Sequence, residues 1–212
     1  MKKKHPIELL IEEGEHQQLD FKFEVSDSKK IARTLSAFAN TDGGRLLIGV
    51  KDNGNISGIR SEEEYYMIEA ASKMYTRPEV PFEATRWEVN GKTVLEVYIA
   101  PSPDRPHTAP DKDDKYKAYI RVADENILAN EVLMLAWQKK RQANGNLLKI
   151  SKPVERLFAY LEEHPFIHIN QFCRLAHIHY YTAKNIISDL LAIDALQYVV
   201  VEKRILYRRS GL

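Results

Sequence analysis

The order of apolar and polar positions at the start of the chain predicts a helix followed by a strand. Residues Pro6 to Glu13 place their apolar side chains on one helical face, and Gly14 is expected to end that helix. Apolar and polar residues then alternate from Leu19 to Phe23, which predicts a half-buried strand. Because alternate side chains of a strand share a face, Asp20 and Lys22 are expected together on its polar side.

A longer apolar helix follows, and the residues after it carry strong turn signals. Gly43-Gly44 can adopt the positive φ that ends a helix, and the aliphatic run Leu46 to Val50 predicts a buried strand. Asn40 is expected to cap the helix or, together with Asp42 and the glycine amides, to contact a nucleic-acid backbone. Asp52-Asn53-Gly54 is typical of a hairpin turn, with Ile56 to Ile59 as the returning strand. Asp52 is therefore either a turn residue or a site residue at the end of a central strand.

The next part of the chain alternates turn signals with apolar runs. A helix that begins at Ser61 is expected to reach about Tyr75. The expected strands are Phe82–Val89, Thr93–Ala100 and Ala118–Val122, and Asn90-Gly91 predicts a type I′ turn between the first two. Residues 101–115 are rich in proline and charge, which predicts a loop, and Asn130 to about Ala143 predicts a closing helix.

Beyond the candidate linker Asn144-Gly145-Asn146, the pattern changes to short helices followed by two strands. The expected elements are helices at Pro153–Glu163, Ile169–Ala176 and Tyr180–Leu191 and strands at Tyr198–Val201 and Ile205–Tyr207. Three helices and a hairpin are the plan of a winged helix, which is a variant of the helix-turn-helix. We therefore predict an α+β protein with two domains, residues 1–143 and a small winged helix at residues 147–212.

Composition narrows the class of protein. The 212 residues are 44% hydrophobic and 29% charged, which is typical of a globular protein. The single cysteine, Cys173, excludes an internal disulfide framework and a cysteine-rich zinc site. No apolar run approaches the roughly 18 residues of a membrane helix, and the basic start has no apolar signal-peptide core, so we expect a cytoplasmic protein.

The predicted winged helix has an excess of basic residues. The net charge of the chain is +1, but residues 147–212 carry nine Lys and Arg against six Asp and Glu. The third helix of this domain occupies the position of a recognition helix. The residues expected to face DNA are Tyr180, Tyr181, Lys184, Asn185 and Ser188 on that helix and Lys203 and Arg204 at the hairpin tip. Winged helices also serve as protein–protein modules, so that alternative stays open.

The motifs of the first domain resemble those of the Schlafen AlbA-like domain. The resemblance rests on Leu19-Asp20-Phe21-Lys22, Ala37-Phe38-Ala39-Asn40-Thr41-Asp42-Gly43-Gly44 and Leu47-Ile48-Gly49-Val50-Lys51-Asp52-Asn53-Gly54, and it covers roughly residues 8–140. It implies a mixed sheet-and-helix fold. Bacterial members with a C-terminal helix-turn-helix resemble transcriptional regulators, whereas vertebrate members include ribonucleases that cut structured RNA with three carboxylates.

The resemblance also implies candidate site residues. By motif, the three carboxylates match Glu15, Asp20 and Asp52, which would hold Mg²⁺ or Mn²⁺, with Lys22 beside them as a phosphate contact. Arg121 matches a late family position and is expected to contact nucleic acid. Position 20 departs from the family pattern, which has Glu there. The alternative is that Glu15 and Asp20 are solvated and that Asp52 serves only its turn.

The sequence supports three classes of function. The first is a nucleic-acid-binding protein, a bacterial-type transcriptional regulator that binds DNA through its winged helix, with a homodimer as the expected assembly. The second is a metal-dependent endoribonuclease that acts on RNA through the three carboxylates. The third is a ligand-sensing or protein-interaction module. Apart from the Mg²⁺ or Mn²⁺ of the second class, no cofactor is expected.

Overall fold

The structure, a computed structural model, describes residues 4–142 and 150–211, and it divides into two compact units. Unit 1 ends at Leu128 and unit 2 begins at Ala129. The elements of unit 1 are α1 (Pro6–Glu13), β1 (Leu19–Lys22), α2 (Ser28–Asn40), β2 (Gly44–Ile48), α3 (Glu63–Tyr75), β3 (Glu83–Val89), β4 (Lys92–Ile99), β5 (Thr108–Pro110), β6 (Tyr116–Val122) and β7 (Glu125–Leu128). Those of unit 2 are α4 (Glu131–Lys140), α5 (Lys152–Glu163), α6 (Ile169–Ala176), α7 (Tyr180–Ala192), β8 (Leu196–Val201) and β9 (Arg204–Arg209). The protein is thus a mixed α+β protein, as predicted.

Unit 1 is built on a four-stranded sheet with the order β1-β2-β4-β3. β1 and β2 run parallel, and the other neighbours are antiparallel. Leu46 and Ile48 of β2 pack in the core that contains α2, whereas Leu47 packs on the opposite face in the core that contains Ile7 of α1. Because both faces are covered, β2 needs an unbroken aliphatic run rather than an alternating one. The same covering explains why β1, which was expected to be half-buried, buries Asp20.

A second sheet, with the order β5-β6-β7, packs against α2 through β6. β6 confirms the strand expected at Ala118–Val122, and the positive φ of Asn90 and Gly91 confirms the type I′ turn between β3 and β4. β5 and β7 were not predicted. β5 is a three-residue strand inside the expected loop, and it pairs with the next strand, β6. Such short strands carry little local signal.

The expected strand from Ile56 to Ile59 is reduced to a single bridge between Val50 and Ile56. The turn itself is present, since the Gly54 amide donates to the Lys51 carbonyl at 2.8 Å. Beyond it, the Ser57 and Gly58 amides both donate to the Gly49 carbonyl, and the chain then turns towards β4. Gly49 has φ +89°, and a Cβ there would lie 2.7 Å from the carbonyl carbon of Gly58. The backbone approach therefore requires glycine.

Gly43 has a similar role where α2 meets β2. Its φ is +70°, and a Cβ would lie 2.6 Å from the carbonyl oxygen of Ile99. The glycine pair of the motif thus serves backbone geometry, one of the two roles considered from sequence. This bend brings the end of α2 against the loop that follows β4, where the Ser102 amide donates to the Ala39 carbonyl.

Among its described residues, 129–142 and 150–211, unit 2 contains four helices and the antiparallel hairpin β8–β9. The elements expected for its last three helices and hairpin are present, and Ile167 pairs with Tyr207 of β9 as an isolated bridge. α4 was expected to close the first domain, but its contacts are with α7. The expected domain boundary between residues 143 and 147, with the linker Asn144-Gly145-Asn146, lies outside the described residues. In the described part of the chain, no helix combines the length and apolar character needed to cross a bilayer.

Candidate functional site

Arg121 and Asp20 form an ion pair in the interior of unit 1. Arg121 Nη2 donates to Asp20 Oδ1 at 2.9 Å, and only 2% of the Arg121 side chain is exposed. Arg121 Nη1 donates to Asn126, and the guanidinium lies over the Phe38 ring of α2. The expectation that Arg121 contacts nucleic acid is therefore corrected. Its side chain points towards α2 and β1, so the pair joins the two sheets instead of facing solvent.

Two further charged groups surround Asp20. Lys22 Nζ lies 2.7 Å from Asp20 Oδ2, and Glu15 Oε1 accepts a hydrogen bond from the Phe21 amide at 2.8 Å. Burial raises the pKa of the Glu15 carboxyl, and the neighbouring Asp20 carboxylate raises it further. Within the described residues, Asp20 Oδ2 has this ion pair with Lys22 but no hydrogen bond of good geometry. A proton on Glu15 would supply a donor for such a bond.

The three carboxylates expected to hold a metal do not form one group. Glu15 and Asp20 are neighbours, but Asp52 is exposed in the turn after β2. Across residues 4–142 and 150–211, no three His, Cys, Asp or Glu side chains are placed to hold a metal ion together. Asp20 is also already bound by two cations. This donor set does not fit Mg²⁺ or Mn²⁺, which need several free oxygen ligands in near-octahedral geometry.

The Asp20–Arg121 pair lines a cleft of about 480 Å³. Lys30 and Arg33 of α2 contribute positive charge to this cleft, and Arg33 Nε donates to the carbonyl of Pro110 at 2.7 Å. Acidic side chains also line it: Glu24, Asp27 and Asp124. Because the two signs of charge are mixed, the cleft does not favour a polyanion.

Asn40 has a bracing role that the sequence did not reveal. Its amide nitrogen donates to the carbonyls of His107 and Tyr119, both at 2.8 Å, and its oxygen accepts from the His107 amide at 2.8 Å. Ser36, one helical turn earlier, also donates to the His107 carbonyl. The expected capping role is therefore corrected. Two polar residues four positions apart on a buried helix face were the signal that identifies this brace.

In unit 2, α4 covers part of the helical face that was expected to read DNA. Lys139 of α4 donates to Ser188 at 2.9 Å and to the Asn185 carbonyl at 3.1 Å, and Ser188 is fully buried. Lys184 pairs with Glu131 of α4 at 3.0 Å. Ser188 was expected to face outward and instead packs against α4. The signal for this packing was the apolar face of α4, which was assigned to the other domain.

The first turn of α7 and the hairpin tip remain exposed. Tyr180 and Tyr181 are 45% and 72% exposed. Lys203 and Arg204 lie at the exposed tip between β8 and β9. Arg204 also lines a cleft of about 630 Å³ together with Arg174 of α6, a residue that the sequence interpretation did not select. Arg174 is the only basic residue of its short amphipathic helix, which is a weak signal for a site.

These elements define unit 1 as an α+β domain in which a glycine-ended helix leads into a buried strand, with an ion pair joining its two sheets. The chain belongs to the Schlafen, AlbA_2 family, whose model matches residues 15–130, more than half of the chain. The match ends within two residues of Leu128, where unit 1 ends.

The chain was also compared with curated proteins and with solved structures. A search of the curated proteins gave no match. Among solved structures, the chain is similar to the DIP2311 protein from Corynebacterium diphtheriae, with 20% identity and a TM-score of 0.47 over 69% of this chain and 32% of that one. The chain thus spans about a third of DIP2311. It is also similar to the N-terminal domain of a putative ATP-dependent DNA helicase RecG-related protein from Nitrosomonas europaea, with 22% identity and a TM-score of 0.37 over 60% of this chain and 97% of that one.

Proposed function

We propose that the chain is a nucleic-acid-binding protein of the bacterial transcriptional-regulator class and that unit 2 is a winged helix that binds duplex DNA. The order α5-α6-α7 followed by the hairpin β8–β9 supports this assignment. The bridge between Ile167 and Tyr207 is consistent with the short additional strand that such a domain places between its first two helices. The family membership of unit 1 is consistent with a function connected with nucleic acid.

The distribution of charge between the units is the observation that carries the proposal. Residues 129–212 contain 12 Lys and Arg and seven Asp and Glu, for a net charge of +5. Residues 1–128 contain 19 and 23, for a net charge of −4. A basic domain attracts the phosphate backbone of DNA, and this attraction supplies most of non-specific affinity. Including α4 in unit 2 raises the charge above the +3 of residues 147–212 alone.

The contact surface that fits this arrangement differs from the one expected from sequence. The exposed first turn of α7, with Tyr180 and Tyr181, is the part of a recognition helix that reaches base edges. Lys203 and Arg204 at the hairpin tip would contact phosphates. Lys184 and Asn185 are engaged by α4, so they would contribute less.

The test is binding of the full chain to a mixed-sequence DNA duplex, measured by fluorescence anisotropy over a range of salt concentrations. The Lys203→Ala/Arg204→Ala double variant should bind about tenfold more weakly, and the slope of log K against log salt should fall by about two, because two phosphate contacts are lost. Lys184→Ala provides a matched control, because its lysine is already paired with Glu131. It should change the affinity less than twofold.

Two outcomes would contradict the proposal. One is that the wild-type chain does not bind the duplex at low salt. The other is that removal of Lys203 and Arg204 leaves both affinity and salt slope unchanged.

A homodimer would present two such surfaces to one duplex, and sedimentation analysis with and without DNA tests that expectation. The ligand-sensing and protein-interaction alternatives predict no duplex binding at all.

A further inference from the structure

Unit 1 exposes an aromatic ring that two basic side chains approach. Phe23 directly follows β1, and 38% of its surface is exposed. Lys51 Nζ lies 5.3 Å from the centre of the ring, and the guanidinium carbon of Arg60 lies at the same distance. We call these three residues the Phe23 cluster. It shares no residue with the Asp20–Arg121 pair or with the surface proposed above for duplex DNA.

The backbone around the Phe23 cluster is held by hydrogen bonds. The Gly49 and Val50 amides donate to the carbonyl of Lys22, the residue before Phe23. The Lys51 amide donates to the Asn55 carbonyl at 3.0 Å, and the Ile59 amide, next to Arg60, donates to the Thr93 carbonyl at 2.8 Å. The three side chains therefore project from fixed strand ends and turns, and binding would require little ordering of the backbone.

The charges of the Phe23 cluster are accessible to a ligand. Lys51 is exposed, and the Arg60 side chain is 69% exposed. Arg60 Nη1 lies 3.2 Å from Glu24 Oε2, and the Glu24 side chain is 43% exposed. An exposed ion pair contributes about 0–1 kcal/mol, so a phosphate can replace Glu24 at small cost. Asp52, the next residue of the turn after Lys51, is exposed as well.

We propose that the Phe23 cluster binds an unpaired nucleotide of a single-stranded nucleic acid. The base stacks on the Phe23 ring, and the side chains of Lys51 and Arg60, which lie over the ring without a ligand, move to contact the flanking phosphates. Aromatic rings combined with basic side chains are the elements by which proteins hold single strands without reading their sequence. A duplex would not use the ring, because its bases are already stacked on each other.

This inference rests on the proposed function in taking nucleic acid as the ligand, but it adds a second site and a different ligand form. The full chain is titrated against a fluorescent oligothymidylate and, separately, against the mixed-sequence duplex. Phe23→Ala and Phe23→Leu should each weaken oligothymidylate binding about tenfold, since stacking contributes about 1–3 kcal/mol per base. Phe23→Trp should keep wild-type affinity, and all three variants should bind the duplex normally.

The basic residues are tested in the same titration. Lys51→Ala/Arg60→Ala should weaken oligothymidylate binding and lower its salt slope by about 1.4, the value for two phosphate contacts on a single strand. Tyr66→Ala is the matched control, because Tyr66 is also an exposed ring of unit 1, 62% exposed on α3. It should leave binding unchanged. Phe23→Leu and Phe23→Trp keep apolar bulk at the position, so the result does not depend on whether Phe23→Ala folds.

Several results would overturn the inference. They are wild-type affinity of Phe23→Leu for oligothymidylate, an equal loss for single strand and duplex in Phe23→Leu, an equal loss in Tyr66→Ala, and an absence of single-strand binding by the wild-type chain. The two proposals fail separately. Duplex binding without single-strand binding removes only the Phe23 site, whereas the reverse removes only the proposed function. Lys203→Ala/Arg204→Ala should lose duplex affinity and retain oligothymidylate affinity.

Discussion

Two arginines that the sequence assigns to nucleic acid have opposite surroundings. Arg121 of unit 1 is 2% exposed and paired with Asp20, whereas Arg204 of unit 2 lies at an exposed hairpin tip. Both lie on strands, and local sequence does not distinguish them. The difference comes from what covers each strand. β6 is packed against α2, whereas the residues at the tip between β8 and β9 are exposed.

The comparison extends to the acidic residues of the two units. In unit 1, Asp20 forms ion pairs with Arg121 and Lys22, so this residue of the family motif stabilises the interior of the domain. In unit 2, two ion pairs join α4 and α7. Glu131 of α4 pairs with Lys184 of α7, and Asp189 of α7 pairs with Lys139 of α4. The hairpin tip keeps its basic residues exposed. Changing the interior pair of Asp20 and Arg121 should therefore affect stability, whereas changing a basic residue of the hairpin tip should affect binding.

The largest expected effect is that of removing the interior arginine. Arg121→Ala leaves Asp20 buried with Lys22 as its remaining cation, and breaking a buried ion pair in this way costs about 3–5 kcal/mol. We expect a loss of about 3 kcal/mol in the free energy of unfolding, measured by urea denaturation, because Lys22 compensates in part. Arg204→Ala, in the same experiment, should change stability by less than about 0.5 kcal/mol.

The two variants together can refute the comparison. Equal losses in the free energy of unfolding would mean that Arg204 at the hairpin tip stabilises the fold as much as the ion pair does. A loss below about 1 kcal/mol in Arg121→Ala would mean that the pair is solvated, since surface pairs contribute about that much. In that case Arg121 would again be a candidate for contact with nucleic acid.

A smaller effect is expected at Asn40, the brace of unit 1. Asn40→Ala removes its hydrogen bonds to the His107 amide and to the carbonyls of His107 and Tyr119. A buried polar group left without a partner costs about 1–3 kcal/mol, so the total loss should be about 2–3 kcal/mol. Asn53→Ala is the control, because Asn53 is exposed in the turn after β2. A loss at Asn40 no larger than at Asn53 would show that water replaces the brace.

The sequence predicts the long elements of both units well, because they depend on local periodicity. α1 has the predicted bounds, Asn90-Gly91 forms the predicted turn, and the block that ends at Gly54 led to the correct family. The strands β5 and β7 escaped prediction because they are short and depend on pairing with β6.

The candidate site was less predictable, because it depends on which surfaces meet. Alternation placed Asp20 and Lys22 on one face of β1, which agrees with their contact, but it gave no sign that Arg121 of β6 would cover Asp20. The spacing of α7 indicated the face of Lys184 and Asn185, but the packing of α4 on that face is a contact between elements remote in sequence. The family motifs indicated which residues matter. Only tertiary packing showed which of them are buried and stabilise the fold and which are exposed to a ligand.

The smallest expected effect concerns the protonation of Glu15. Burial and the neighbouring Asp20 raise the pKa of Glu15 above its usual 4.5, so the native state keeps a proton that the unfolded state releases. Where the native state binds more protons, stability falls as pH rises, so Glu15 should reduce stability as pH rises from about 4.5 towards neutrality. Glu15→Gln keeps an oxygen for the Phe21 amide, removes the charge, and should raise the free energy of unfolding at pH 7.

Because Glu15 is only partly buried, solvent screens its interaction, and the gain should stay below about 1 kcal/mol. Urea unfolding of Glu15→Gln and wild type at several pH values between about 4 and 7 measures it, with the gap between the two expected to widen as pH rises. Glu79→Gln, at an exposed position of unit 1, is the control variant for the same series. A gap at Glu15 that narrows with rising pH would mean that the ionised carboxylate is favoured there, as it would be if Lys22 rather than Asp20 dominated its surroundings.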